Sequence, residues 1–259
     1  RLSVDLDLNY VGARDRDAMM AERPKIEEAV RAVCSREDMN VSRLPTDHAG
    51  GKWQLRYESA LGGPANLELD LNFMLRVPLW PLWTAEARIS PPRTGRIGVL
   101  DIHELAAGKL AALFARQASR DVFDSHHLLT RADLDPEKLR LGFVLYGAMN
   151  RRDWRTVGVG DVKCNPLELA NRLAPFLRAD VLRACKGRDW AERMVSECCE
   201  LLAAVLPMTA NQHRFLDRLL EQGYIVPELL TDDAEMMERI ALHPLLQWKA
   251  LNVRKHRGA

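Results

Sequence analysis

Three stretches of this chain concentrate residue types that do chemistry on phosphate esters. In the first, "RLSVDLDLNY", Leu2, Val4, Leu6 and Leu8 alternate with Ser3, Asp5, Asp7 and Asn9. Period two is the pattern of a half-buried β-strand, so Asp5 and Asp7 share a face with their Cβ atoms roughly 6 to 7 Å apart. Carboxylates held so close repel unless something positive sits between them, and a divalent cation would do that. The competing reading is a solvated outer sheet face, although Asp and Asn are poor strand formers. The second stretch, "NLELDLNFML", repeats the pattern: Leu67, Leu69, Leu71 and Phe73 face one way, and Glu68, Asp70 and Asn72 the other. If Asp70 joins Asp5 and Asp7, adjacent strands offer Mg²⁺ (or Mn²⁺) hard oxygen ligands, and such an ion also takes oxygens from a substrate's phosphates. That arrangement favours in-line attack on phosphorus.

The third stretch is helical. In "DIHELAAGKLAALFARQ", Ile102, Leu105, Ala106 and Leu113 fall on one stripe, and Lys109 lies on it too. An ammonium there must snorkel out along its stem or meet an anion in a cleft. "SRDVFD" then puts Arg120, Asp121 and Asp124 at a helix start, where carboxylates also simply match the macrodipole. His103, His126 and His127, with Asp124, are too loosely spaced to specify a phosphohydrolase metal centre. "MNRRDWR" and the tail "WKALNVRKHRGA" interleave Arg, Lys and Trp in a manner compatible with a phosphate backbone and stacked bases, or with solvated ends. Walker A, G-x-G-x-x-G and G-x-S-x-G sequences are absent.

The elements that must position these residues follow from periodicity. "RPKIEEAVRAVC" predicts a helix with Pro24 at its first position and Ile26, Ala29, Val30 and Val33 as the apolar stripe. "MNVSRL" and "KWQLRYESA" predict strands, and Gly62 with Gly63 a turn before the second acidic strand. "VPLWPLWTAEARISPPRTG" reads as a long ordered loop whose tryptophans are costly to leave in water. Beyond it the periodicity is helical to the end. Asp101 with Glu104 forms a plausible capping box, Ser119 precedes a second helix, and Asp135 with Pro136 opens a third. The expected architecture is α+β: a part with a mixed sheet over residues 1–131 and an all-α part over 132–259.

Composition bounds the rest. The 259 residues, 47% hydrophobic and 28% charged, suffice for one large domain or two modest ones. A formal net charge of +1 advertises no nucleic-acid partner globally, so any such surface is a local patch. The five cysteines form no C-x-x-C pair and suit reduced thiols, which points to the cytoplasm. No apolar run approaches the ~18 residues of a membrane span, so no membrane partner is expected. Arg1 stands in mid-strand in place of a Met, which suggests that an N-terminal piece is absent.

Taken in series, "RLSVDLDLN", "LELDLNF", "IHELAAGKLAALFAR" and "SRDVFD" resemble the AbiEii/AbiGii-type nucleotidyltransferase toxins of bacterial toxin–antitoxin and phage-defence systems, over about the first 130 residues. The resemblance implies a polymerase-β-like nucleotidyltransferase fold in which strand carboxylates hold Mg²⁺ and a nucleoside triphosphate. It assigns Asp5 and Asp7 to the acidic pair, Ser3 to the small polar residue before them, Lys109 to the helix lysine that reaches the triphosphate, and Asp121 to the last acidic motif. Asp70 would join the metal ligands and Arg120 the nucleotide contacts. It further implies transfer of a nucleotide to an acceptor, tRNA 3′ ends among them, with a block of translation, and a cognate antitoxin. The family usually carries a Gly-Gly-Ser/Thr loop shortly before the acidic strand, a stretch that would lie before Arg1. The alternative is a nucleotidyltransferase fold that has lost catalysis and persists as an RNA- or antitoxin-binding protein.

Overall fold

A computed structural model of the chain describes residues 5–45, 49–60, 62–86, 95–184 and 189–258. By contact the chain divides into two compact units, one of Arg1–Val77 with His243–Leu245 and one of Pro78–Leu242 with Leu246–Ala259.

The first unit is a mixed sheet backed by a helix. Its strands are β1 (Asp5–Asn9), β2 (Asn40–Arg43), β3 (Gly50–Glu58) and β4 (Pro64–Asn72), in the order β1-β4-β3-β2. β1 runs parallel to β4, and the other pairs are antiparallel. Gly62 and Gly63, both at positive φ, turn the chain between β3 and β4 as expected, since a side chain there would be strained. Helix α1 (Arg16–Arg36) starts earlier than Pro24 predicts, because Asp15 caps it by accepting the Ala18 N–H at 2.9 Å. Pro24 therefore lies inside the helix. Met19 and Cys34 of α1 bury against Trp53, Leu55, Leu69, Leu71 and Phe73, which confirms the apolar face of the second acidic strand. The first acidic strand differs. Leu6 and Leu8 are 50% and 47% exposed, because β1 is the sheet's edge and the buried cluster centres on β3 and β4.

The second unit contains β5 (Trp83–Glu86), β6 (Arg96–Val99), α2 (Ile102–Arg116), α3 (Ser119–Arg131), α4 (Pro136–Ala148), the single turn α5 (Pro166–Glu168), α6 (Ala179–Ala184), α7 (Trp190–Leu201), α8 (Ala210–Gln222), α9 (Ala234–Ala241) and, from Leu246 on, α10 (Pro244–His256). The expected long loop thus contains a strand: Trp83–Glu86 pairs antiparallel with Arg96–Val99, a partner no local pattern announces. Trp80 is buried, whereas Trp83 stays 54% exposed and donates its indole N–H to the Leu100 carbonyl at 3.1 Å. Asp135 and Pro136 open α4 as expected. The core of the second unit runs across residue 132. Leu110, Leu113 and Phe114 of α2 and Val122 of α3 share one core with Leu139 and Phe143 of α4 and Met194 and Cys198 of α7, because the apolar stripes of α2 and α3 need those later helices to cover them.

The capping box at α2 is replaced by something else. Asp101 caps alone, accepting the His103 N–H at 2.8 Å. Glu104 turns inward to 3% exposure and accepts the Leu79 N–H and the Tyr146 hydroxyl, each at 3.0 Å. Burial pushes its carboxyl up to about 7. The fold therefore keeps this proton up to about pH 7, while an unfolded chain releases it near 4.5. That stability is whole below 4.5 and lost as the pH rises through about 7. Glu104→Gln has no proton to lose, so the melting temperature of the variant minus that of the parent should climb between pH 4.5 and 7 and then level off. A flat difference would remove Glu104 from the pH dependence.

Candidate active site

In the first unit, alternation and register together build the acidic surface. Asp5 and Asp7 point to the same side of β1, away from the buried leucines of β4. The parallel register sets Asp7 opposite Asp70 and Asp5 opposite Glu68, while the antiparallel register sets Lys52 of β3 opposite Asp70. One row across the sheet thus reads Lys52, Asp70, Asp7, and the next reads Gln54, Glu68, Asp5. Side chains paired this way sit about 5 Å apart at Cβ. Lys52 Nζ donates to Glu68 Oε2 at 2.5 Å. This hydrogen bond raises the Lys52 ammonium and lowers the Glu68 carboxyl from their ordinary ranges. Asp70 shifts the other way: partial burial raises it first, and the charge of Asp7 adds to the shift. Asp70 is thus a carboxylate whose ionised form lacks enough compensation, and a cation beside Asp7 and Asp70 would supply it. Among the described residues no three His, Cys, Asp or Glu side chains are grouped so as to hold a metal ion by themselves. Mg²⁺ does not need such a group, since it keeps several waters and takes one or two carboxylates plus substrate oxygens. The donor set therefore fits a hard divalent ion. Ser3 lies outside the described residues.

In the second unit, α2 and α3 bring together the remaining candidates. Lys109 is half-exposed at the margin of its stripe, where Leu113 is buried and Leu105 is not. The anion it meets is Asp124, whose Oδ2 lies 3.1 Å from its Nζ. Asp121, 2% exposed, is gripped by one edge of the Arg116 guanidinium, Nε and Nη2, at 3.1 and 2.8 Å. Arg120, next to it on α3, is exposed. Helix α3 begins without a cap from its own preceding residue. Glu168 substitutes from a distance, accepting the Ser119 N–H at 3.1 Å and its hydroxyl at 2.7 Å, and those bonds hold the Glu168 carboxyl below its usual range. The partners Arg116 and Lys52 went unnoticed in the sequence; the only signal for Arg116 is its spacing of five from Asp121, which crosses a helix break.

Other sequence candidates are consumed by the fold. Both ring nitrogens of His103 are engaged, Nδ1 with Asp101 at 2.7 Å and Nε2 with the Asp135 N–H at 2.8 Å. His126 meets Glu197 at 2.5 Å, and His127 stacks on Phe123. Arg155 is surrounded by Asp153, Asp217 and Glu221, and Arg152 is held by Asp161 and the Phe114 carbonyl. Of the basic stretches, Arg151 and, on the tail, Lys255 and Arg257 remain exposed.

A family model described as the nucleotidyl transferase AbiEii toxin of type IV toxin–antitoxin systems matches residues 1–197. The chain belongs to this family. It is a nucleotidyltransferase, the toxin component of a toxin–antitoxin pair. Its fold is similar to that of MenT4, a nucleotidyltransferase toxin from Mycobacterium tuberculosis H37Rv, with a TM-score of 0.53 at 20% identity over 93% of this chain and 77% of that one. No curated protein matches the chain in sequence. The α+β class with a mixed sheet and a helical remainder agrees with both similarities. Among the described residues no helix is long and apolar enough to cross a membrane. Of the residues that the AbiEii resemblance singles out, Asp5, Asp7 and Asp70 share one sheet face of the first unit, and Lys109, Arg120 and Asp121 stand on α2 and α3 of the second.

The Lys109–Asp124 contact has a measurable consequence in this AbiEii protein. Asp124 is largely buried, so Lys109→Met takes a charge-assisted donor from a carboxylate that water cannot easily reach. The cost should be about 1 to 3 kcal/mol in denaturant unfolding. Asp124→Asn in the Lys109→Met background should recover part of it, giving a coupling energy on the order of 1 kcal/mol. Additive effects would mean that the pair contributes nothing.

Proposed function

We propose that this AbiEii toxin transfers a nucleotide from a nucleoside triphosphate to an acceptor, the tRNA 3′ end, in a reaction that depends on Mg²⁺ or Mn²⁺, and that the modified tRNA blocks translation in the cytoplasm until a cognate antitoxin intervenes. The observation that carries this reading is the row across the sheet in which Asp7 faces Asp70, with Asp5 on the same surface. Asp7 and Asp70 would hold the ion through hard oxygen donors, with Asp5 beside them on the same face. When bound, such an ion neutralises charge on the transferring phosphoryl group. The family resemblance assigns Ser3 and Arg120 to the nucleotide, Lys109 to the triphosphate and Asp121 to the last acidic motif, and Arg116 fixes Asp121 within the second unit. The tRNA acceptor is carried by the family resemblance alone.

The test is incorporation of labelled nucleoside triphosphate into bulk tRNA. Asp5→Asn with Asp7→Asn should abolish transfer while leaving the melt largely unchanged, because both side chains are exposed. Chelation should stop the parent enzyme and added Mg²⁺ or Mn²⁺ restore it. Transfer that survives the double substitution would place the chemistry elsewhere. A parent chain that binds RNA or antitoxin yet transfers nothing would instead be the non-catalytic binding protein. Removing Lys109 should slow transfer by on the order of 10² to 10³, assayed below the melting temperature of the variant.

A further inference from the structure

We infer that Lys52 is a positioning residue of this active site: by binding Glu68 it withdraws one carboxylate from the acidic face and directs a divalent ion to the Asp7–Asp70 side. The inference rests on the proposal that this face holds the ion. Four carboxylates line two adjacent strands, Asp5 and Asp7 on β1 and Glu68 and Asp70 on β4. They form two cross-strand pairs, Asp5 with Glu68 and Asp7 with Asp70, and nothing in the alternation distinguishes one pair from the other as a seat for a cation. Lys52 breaks that symmetry. Its Cα is in register with Asp70, but its ammonium crosses diagonally to Glu68 at 2.5 Å. Arg43, paired in register with Gln54, adds a second positive charge on the Glu68 side. The face is therefore polarised: the Lys52 ammonium engages Glu68, with Arg43 on the same side, and the cross-strand pair whose acids it leaves unengaged is Asp7 with Asp70. A lysine on an exposed strand ordinarily extends into water as a solubilising edge charge. Here it is engaged by an acid on the face where the reaction requires acids to be available.

The charge of Lys52 also acts directly on the ion. A unit positive charge several ångströms from a divalent cation, in a dielectric close to that of water, weakens binding by roughly fivefold. Lys52 therefore trades affinity for placement. Two substitutions separate these effects from an ordinary surface ion pair. Lys52→Met removes a positive charge and frees Glu68, so Mn²⁺ should bind several-fold tighter, read by electron paramagnetic resonance of free Mn²⁺ at low salt without nucleotide. Glu68→Gln leaves Lys52 without its acid beside Asp5 and Asp70, so Mn²⁺ should bind several-fold weaker. The double variant should return close to the parent, and Lys52→Arg, which keeps the charge, should bind like the parent. Melting curves of each exposed-residue variant confirm folding. In transfer assays Lys52→Met should lose rate despite its tighter Mn²⁺, a combination that a merely structural salt bridge does not produce.

The outcomes are distinguishable. If Asp7→Asn abolishes Mn²⁺ binding while Lys52→Met and Glu68→Gln leave affinity unchanged, the role of Lys52 is refuted and the metal face stands. If Lys52→Met binds Mn²⁺ more tightly and transfers at the parent rate, Lys52 tunes affinity without positioning, and the inference is overturned. If Mn²⁺ binding is indifferent to Asp7→Asn, the metal face itself is wrong and the inference falls with it.

Discussion

Like charges packed across a parallel strand pair are the constraint around which the first unit is organised. The register that sets Leu6 beside Leu69 and Leu8 beside Leu71 necessarily sets Asp5 beside Glu68 and Asp7 beside Asp70, because strand side chains alternate with a period of two. A slip of β1 by one residue would move Asp5 and Asp7 to the face that carries Leu69 and Leu71, and Leu6 and Leu8 to the acidic face. Burial of Leu69 and Leu71 against α1 therefore enforces an arrangement that electrostatics alone would reject. The energy gained on the apolar face holds acids together on the polar face, and the acids become available for a cation.

The second unit treats its buried acids differently. Glu104 is buried with only neutral donors, a backbone N–H and a phenol, whose hydrogen bonds do not offset the burial that holds its proton to about pH 7. Asp121 and Asp124 are compensated by cations, Arg116 and Lys109. Three carboxylates within two helices thus occupy three electrostatic states: one that favours its proton, one fixed bidentately and one paired with a half-exposed ammonium. A half-exposed ammonium on a single carboxylate can exchange partners more readily than a guanidinium held at two points. This difference separates Lys109, suited to meet an incoming anion, from Arg116, suited to hold Asp121 still.

Basic residues show the same selectivity. Arg152 and Arg155 look in sequence like Lys255 and Arg257, yet the first two are saturated by acids and carbonyls brought from positions far along the chain, while the tail residues are not. A surface count of cations would overstate the positive field available to a polyanion. Only unsaturated cations contribute to attraction over distance.

By itself the sequence determined the elements whose reasons are local. The alternation of "DLDLN" and "LELDLN" specified two strands with acidic faces, Gly62 and Gly63 the turn, Asp101 and Asp135 the starts of α2 and α4, and the serial motifs pointed to the AbiEii family. Tertiary structure decided whatever depends on a distant partner. It made β1 an edge, so that Leu6 and Leu8 stayed exposed; it drew a strand out of an apparent loop by pairing Trp83–Glu86 with Arg96–Val99; and it turned Glu104 from a cap into a buried acid. It also chose which cation neutralises which carboxylate. Spacing along one strand or helix limits which side chains can share a face, but register between strands and packing between helices select the charges that meet. For that reason Asp5, Asp7, Lys109 and Asp121 were visible as candidates in the sequence, while Lys52 and Arg116 emerged only once the chain was folded.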